Sequence, residues 1–282
     1  HLDYHGTMEA YLAAKLRLFS EVLEASGTAV VWTDDAYSKR VVDAARARGA
    51  ALMTVGAEGD ALRLMSREPT QLGQSLVIAA GDLTQKVSLP LIGAYQVANA
   101  LVAAGLVIAT GGDTQRTLAN LARLQPVRGR LERATITRAG APVYVDYAHT
   151  PDAIEAALDA LRPHARGRLI LVFGAGGDRD KDKRPEMGRI AARKADLLII
   201  TDDNPRGEDP ALIRAAIAKA APGAEVIGDR RAAISAAIAQ AGADDIICIA
   251  GKGHEQGQIV GAGADMRVIP FDDVAVAREA AA

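Results

Sequence analysis

Cysteine is almost missing from this chain: its 282 residues include one, Cys248. A single thiol closes no disulfide within a chain, so packing and hydrogen bonds must hold the fold. Cys248 lies in the apolar run Asp245 to Ala250 (DIICIA) and reads as a core thiol, which fits a reducing cytoplasm. Neither sign of charge dominates. With 33 basic and 35 acidic residues the formal net charge is -2, so there is no basic field for a nucleic acid and no acidic tail. No apolar run approaches the ~20 residues that span a bilayer, and no signal peptide is present. No Gly-x-x-x-x-Gly-Lys-[Ser/Thr] phosphate loop occurs, and no initiator Met. The opening His1-Leu2-Asp3-Tyr4-His5-Gly6 reads as the interior of something longer, hence as a fragment.

What is present is ample core material, 49% hydrophobic, over a length that suggests two domains. Thr7 reads as the N-cap of a helix from Met8 to Ala25. A strand at Ala29 to Trp32, a helix at Ala36 to Arg48 and a strand at Ala51 to Val55 follow. From Ala61 to Leu89 the pattern alternates and turns at Gly81-Asp82, as antiparallel strands do. Ala94 to Ala109 reads as a helix stopped by Gly111-Gly112, and Thr114 to Leu124 as another. Gln125 to Gly129 is the linker candidate, so the expected domains are 1–125 and 126–282. Beyond it strands (Pro142 to Val145, Leu169 to Phe173, Asp196 to Thr201, Glu225 to Ile227, Ile246 to Ala250) alternate with helices (Pro151 to Leu161, Pro185 to Lys194, Asp209 to Ala220, Arg230 to Ala241). That rhythm predicts an α/β fold with a doubly wound, mainly parallel sheet. A hairpin from Gly257 to Ile269 and a helix from Asp272 to Ala281 close the chain.

Three loops on the C-terminal edge of that sheet carry chemistry, at the edge where such sheets bind ligands. Asp202-Asp203-Asn204-Pro205-Arg206 leaves the strand ADLLIIT; Pro205 fixes a backbone dihedral beside a guanidinium suited to a ligand carboxylate. Gly174-Ala175-Gly176-Gly177-Asp178-Arg179 leaves another strand. It is a poor dinucleotide fingerprint, because helix signals resume only at Pro185, and Asp180 to Lys183 read as a solvated loop. Gly251-Lys252-Gly253-His254-Glu255 leaves a third. Arg179 and Arg206 beside Asn204 and Glu255 would suit a zwitterion, with arginine on carboxylate and glutamate on ammonium: an amino-acid site. Asp146-Tyr147-Ala148-His149-Thr150-Pro151-Asp152 opens a helix; Thr150 and Asp152 serve it as cap and dipole partner, but Asp, Tyr and His together exceed what capping requires.

On these residues the chain resembles the Mur ligases, and within them the MurE type. The motifs are His1 to Gly6 with Lys15, Gly93 to Asn99 (GAYQVAN), Asp146 to Asp152, Gly174 to Arg184, and Asp203 to Arg206 with Gly251 to Glu255. They span essentially the whole chain, and the Asn-Pro-Arg form is that of diaminopimelate-adding enzymes. The resemblance implies an ATP-dependent amide ligase of cytoplasmic peptidoglycan synthesis. Such a ligase joins meso-diaminopimelate to UDP-MurNAc-L-Ala-D-Glu through an acyl phosphate, with Mg2+. The fold implied is the last part of a central ATP-binding domain followed by a complete Rossmann-like domain. The phosphate loop and the UDP-binding domain are expected to precede His1, so the chain alone is expected to be inactive.

Residue by residue, the resemblance implies magnesium ligation by His1 and by a carbamylated Lys15. It implies nucleotide contacts at Gln96, Asn99, Arg130 and Asp146, although Gln96 stands where Asn is commoner. Diaminopimelate falls to Arg179, Asn204, Arg206, Gly251 and Glu255. Lys15 and His149 are the catalytic candidates. No obligate protein partner, nucleic acid or membrane is expected. The competing readings are a stand-alone amino-acid binding module and a nicotinamide oxidoreductase. ATP turnover separates the first, and the late helix start disfavours the second.

Overall fold

The computed structural model describes residues 5–178 and 181–282. His1 and Arg179 therefore lie outside the described residues. The chain forms two compact units, one of His1–Glu68, Gln74–Pro90 and Ala94–Leu124, the other of Pro69–Gly73, Leu91–Gly93 and Gln125–Ala282.

In the first unit, Thr7 accepts from the Ala10 N–H at 3.1 Å and caps helix α1 (Met8–Arg17). The expected helix to Ala25 is shorter. The Ser20 hydroxyl bonds the Leu16 carbonyl, Leu18–Val22 widens into a π turn, and the chain leaves helical geometry at Leu23. Strand β1 (Thr28–Trp32), helix α2 (Ser38–Arg48) and strand β2 (Ala51–Gly56) follow, with β1 and β2 parallel. Strands β3 (Leu62–Thr70), β4 (Gly73–Ala80) and β5 (Leu83–Leu89) complete a sheet in the order β1-β2-β3-β4-β5. The β4–β5 turn uses Gly81 at φ 58°, a left-handed position. Helices α3 (Ala94–Ala109) and α4 (Thr114–Asn120) end the unit.

The second unit is a six-stranded sheet in the order β10-β9-β8-β11-β7-β6. Its strands are β6 (Glu132–Ile136), β7 (Pro142–Asp146), β8 (Leu169–Phe173), β9 (Leu197–Ile200), β10 (Glu225–Val226) and β11 (Ile246–Ala250). All neighbours are parallel except β6 and β7. This is the expected α/β class with a mainly parallel sheet. Strand β6 was not expected from the pattern: it is a short antiparallel edge strand with only Ala134 buried, so no apolar run announces it.

The central strands are buried along their whole length and alternate strictly. Leu169, Leu171 and Phe173 face one core with Cys248, while Ile170 and Val172 face the other with Ile247 and Ile249. Helices α5 (Pro151–Leu161), α6 (Lys183–Lys194) and α7 (Pro210–Ala218) cover the first face. Helices α8 (Arg230–Gln240) and α9 (Asp273–Ala281) cover the second. Cys248 is a buried core thiol, its pKa pushed up by burial and by Asp146. A two-stranded ribbon, β12 (Gly257–Val260) with β13 (Arg267–Pro270), follows β11. Among the described residues no helix is long and apolar enough to cross a membrane.

Candidate functional site

Strands β7, β8, β9 and β11 run in one direction, so the loops after Asp146, Phe173, Ile200 and Ala250 emerge on one edge. They enclose a cavity of about 410 Å³ lined by Tyr147, His149, Thr150, Gly176, Lys183, Asp203, Asn204, Arg206, Gly251 and Glu255. That volume suits a small metabolite. Of the residues assigned to an amino-acid ligand, Asn204, Arg206, Gly251 and Glu255 are brought together here, with His149 beside them.

The loops interlock through backbone. A Cβ on Gly177 would lie 1.9 Å from the Pro205 carbonyl oxygen, and one on Gly174 2.3 Å from that of Thr201. The Gly177 N–H donates to the Asn204 carbonyl at 2.8 Å. The glycines of this loop are therefore needed for close packing on the Asp-Asn-Pro-Arg loop. Helix α6 begins six residues beyond Gly177, too late to hold a pyrophosphate at the glycines.

Arg206 takes a left-handed backbone, φ 50°, which costs a non-glycine residue strain. The ribbon holds it there: its N–H donates to Ile259 O at 3.0 Å and its carbonyl accepts from Gly261 N at 2.8 Å. Its guanidinium Nη1 donates to the Gly177 carbonyl at 2.9 Å. The buried Asn204 donates through Nδ2 to Glu255 Oε2 at 2.9 Å. The Asn204 Oδ1 accepts from Lys252 Nζ at 2.8 Å and Ile259 N at 2.9 Å.

His149 Nδ1 lies 2.7 Å from the Tyr147 carbonyl, which can only accept; Nδ1 therefore donates, which leaves Nε2 as the acceptor nitrogen of the neutral imidazole. Lys183 Nζ donates to the His149 carbonyl at 3.0 Å. Sequence reasoning placed Lys183 in a solvated loop. It is instead the first residue of α6, and the next residue, Arg184, is buried against Glu208 at 2.9 and 3.1 Å and the Gly176 carbonyl at 3.1 Å. Arg184, the Asp178 N–H and Lys181 hold the Glu208 carboxyl down to about 2. Beneath the site Arg230 pairs with Asp273 at 2.7 and 2.8 Å, both side chains fully buried, and donates to the Ala250 and Asp202 carbonyls.

Asp146 is pushed up by burial, against hydrogen bonds from Leu131 N at 2.8 Å and Ala148 N at 2.9 Å and the charge of Arg130. Arg130 lies over the Tyr147 ring, 4.9 Å from its centroid. Tyr147 also meets His149 and His254, with ring centroids at 4.6 and 5.1 Å. These groups form a stacking surface beside the cavity. In the other unit, Gln96 and Asn99 share a face of α3, with Asn99 Nδ2 on Gln96 Oε1 at 3.3 Å. Lys15 is exposed on α1, its ammonium 5.5 Å from the Tyr11 ring centroid. Among the described residues no group of three or more His, Cys, Asp or Glu could hold a metal, and Lys15 has no such cluster around it.

Residues 1–107 match the Mur ligase middle domain and residues 129–253 the Mur ligase glutamate ligase domain. A UDP-N-acetylmuramoyl-L-alanyl-D-glutamate--2,6-diaminopimelate ligase of Zymomonas mobilis is 60% identical over 280 residues, 99% of this chain and 58% of that protein. A solved structure of an enzyme of the same name matches with a TM-score of 0.76 and 35% identity over 99% of this chain and 57% of that one. A MurF ligase of Thermotoga maritima in complex with ADP shares the fold: TM-score 0.62 and 18% identity, over 89% of this chain and 55% of that one. The chain thus spans under three-fifths of the length of the curated relative it matches.

Proposed function

The chain belongs to the Mur ligase family, and on that premise we propose that it forms the amino-acid end of a diaminopimelate-adding ligase of peptidoglycan synthesis. The observation that carries this reading is the one cavity that gathers Asn204, Arg206, Gly251 and Glu255. Arg206 offers a planar fork to the distal carboxylate of meso-diaminopimelate, and Glu255, held by the Asn204 amide, faces its ammonium. The reaction is amide formation through an acyl phosphate of UDP-MurNAc-L-Ala-D-Glu made from ATP. The ligand's amine attacks the acyl carbon, the C–O bond to phosphate breaks, and the nitrogen loses a proton. His149, protonated at Nδ1, presents Nε2 as the acceptor for such a proton. Arg130, stacked on the cavity-lining Tyr147 ring, and Asp146 are the nucleotide contacts, and Gln96 and Asn99 belong to the adenine segment.

Magnesium would offset the phosphate charge in such a reaction. His1 and carbamylated Lys15 are its ligands on the family pattern; the described residues alone assemble no site for it. The chain as given contains no phosphate-loop motif, and by itself forms no amide. The reading places the protein in the cytoplasm, where its nucleotide substrates are.

Calorimetry with meso-diaminopimelate and L-lysine tests the assignment. The chain binds the first and largely rejects the second, because a site built for a carboxylate is left with unpaired charge without it. Arg206→Ala costs roughly 2–5 kcal/mol in binding meso-diaminopimelate. Equal affinity for the two amino acids sinks the reading.

A further inference from the structure

Lys252 lies behind the cavity's lining residues Asp203, Asn204 and Glu255 and is fully buried. A buried ammonium is costly unless each of its donors is matched. Lys252 Nζ has three acceptors: Asn204 Oδ1 at 2.8 Å, Asp203 Oδ1 at 3.3 Å and Glu255 Oε2 at 3.5 Å. An ammonium only donates. The Asn204 amide must therefore turn its oxygen toward Lys252, where it also meets the Ile259 N–H. Its NH2 is then left for Glu255 Oε2. In this way one buried charge sets the orientation of an amide that X-ray density alone rarely fixes. It also ties one oxygen of Glu255 and leaves the other to the ligand.

The charge count points the same way. Lys252 (+1) faces Asp203 (-1) and Glu255 (-1), so this cluster sums to -1. The Arg230–Asp273 pair behind it cancels, with Arg230 also sensing Asp203 and Glu255. A ligand ammonium brings the sum to zero. Glu255 is the only member with substantial exposure, 34% of its side chain, so the unbalanced charge is presented at the mouth.

We propose that Lys252 is the positioning residue of the amino-acid site: it presets the Asn204 amide, whose NH2 in turn fixes the Glu255 carboxylate that accepts from the ligand's ammonium group. This deepens the ligase reading and rests on it.

The test separates positioning from simple charge neutralisation. Lys252→Met leaves Asp203 buried without a cation and lowers the melting temperature. Adding Asp203→Asn removes that stranded charge and restores the melting temperature. Affinity for meso-diaminopimelate, measured by calorimetry on the same proteins, stays down about tenfold or more in the double variant. In turnover by the full-length ligase carrying the same substitutions, the KM for the amino acid rises and that for ATP holds. A folded double variant with wild-type affinity overturns the proposal. In the wild type, selective 15N labelling of asparagine shows one slowly exchanging Asn204 side-chain amide; a fast-exchanging, averaged amide overturns the proposal whatever the variants do. A wild type that binds no amino acid refutes the ligase reading and this inference together, whereas equal affinity of wild type and double variant refutes this inference alone.

Discussion

Two parallel strands of similar composition have different surroundings. Strand β8 of the second unit is buried at every residue, with helices on both faces of its sheet. Strand β1 of the first unit is the edge of its sheet within this chain, which spans under three-fifths of its curated relative, and its Val30, Val31 and Trp32 line an open apolar cavity of about 570 Å³ with Val102 and Leu106. Helix α1 in that unit buries none of its residues. An apolar run thus specifies a strand, but what covers it is set by elements far away in sequence. The second unit is covered on both faces of its sheet and holds the cavity lined by Asn204, Arg206 and Glu255.

The sharpest contrast is electrostatic. Arg230→Ala leaves Asp273 buried without its partner and costs the second unit about 3–5 kcal/mol in urea denaturation. Arg40→Ala removes the partner of Glu9, an exposed pair of the first unit, and leaves the denaturation midpoint unchanged. Similar losses from both variants would erase the contrast.

Packing gives the next effect. Leu171→Ala opens a void between helices and sheet and costs roughly 2–5 kcal/mol. Leu106→Ala, at a site 49% exposed beside the β1 cavity, stays within about 0.5 kcal/mol. Matched losses in the two denaturation curves would show that the first unit is as tightly covered as the second.

The smallest effect is a pH dependence confined to the second unit. Glu208 has a folded pKa of about 2 against an ordinary 4.5, so its contribution is fully present above 4.5. It is lost as pH falls from there toward 2. Acid titration of the wild type therefore shows a stability loss in that window that Glu208→Gln lacks. Parallel curves for the two proteins would remove Glu208 as the cause.

Much of the fold was legible where the chain punctuates itself. Helix α3 spans Ala94–Ala109, the bounds read from its apolar period and from Gly111-Gly112, and α5 opens at Pro151 behind the Thr150 cap. Strand β6 was not legible, since it is paired on one side only and gains its conformation from β7. The loops carrying Asn204, Arg206 and Glu255 stood out because polar residues and glycines follow buried strands. Lys252 and Lys183 did not. A lysine in a loop reads as solvated, and only tertiary partners decide that one is buried among carboxylates and the other begins a helix. The strain at Arg206 was equally hidden, because the ribbon that compensates it lies more than fifty residues downstream.

The place of β11 between β7 and β8 has a consequence in time. A ribosome completes β8 at Phe173 and must add the chain up to Ile246 before the middle of the sheet exists. At roughly 5–20 residues per second that interval is on the order of ten seconds. During it β7 and β8 each lack their shared neighbour, and Asn204 and Arg206 have been made without Lys252, Ile259 or Gly261. The nascent protein therefore carries a split sheet and an unformed pocket until β11 and the ribbon emerge. One late strand joins the two halves, and the loop that follows it supplies the lysine on which the pocket closes.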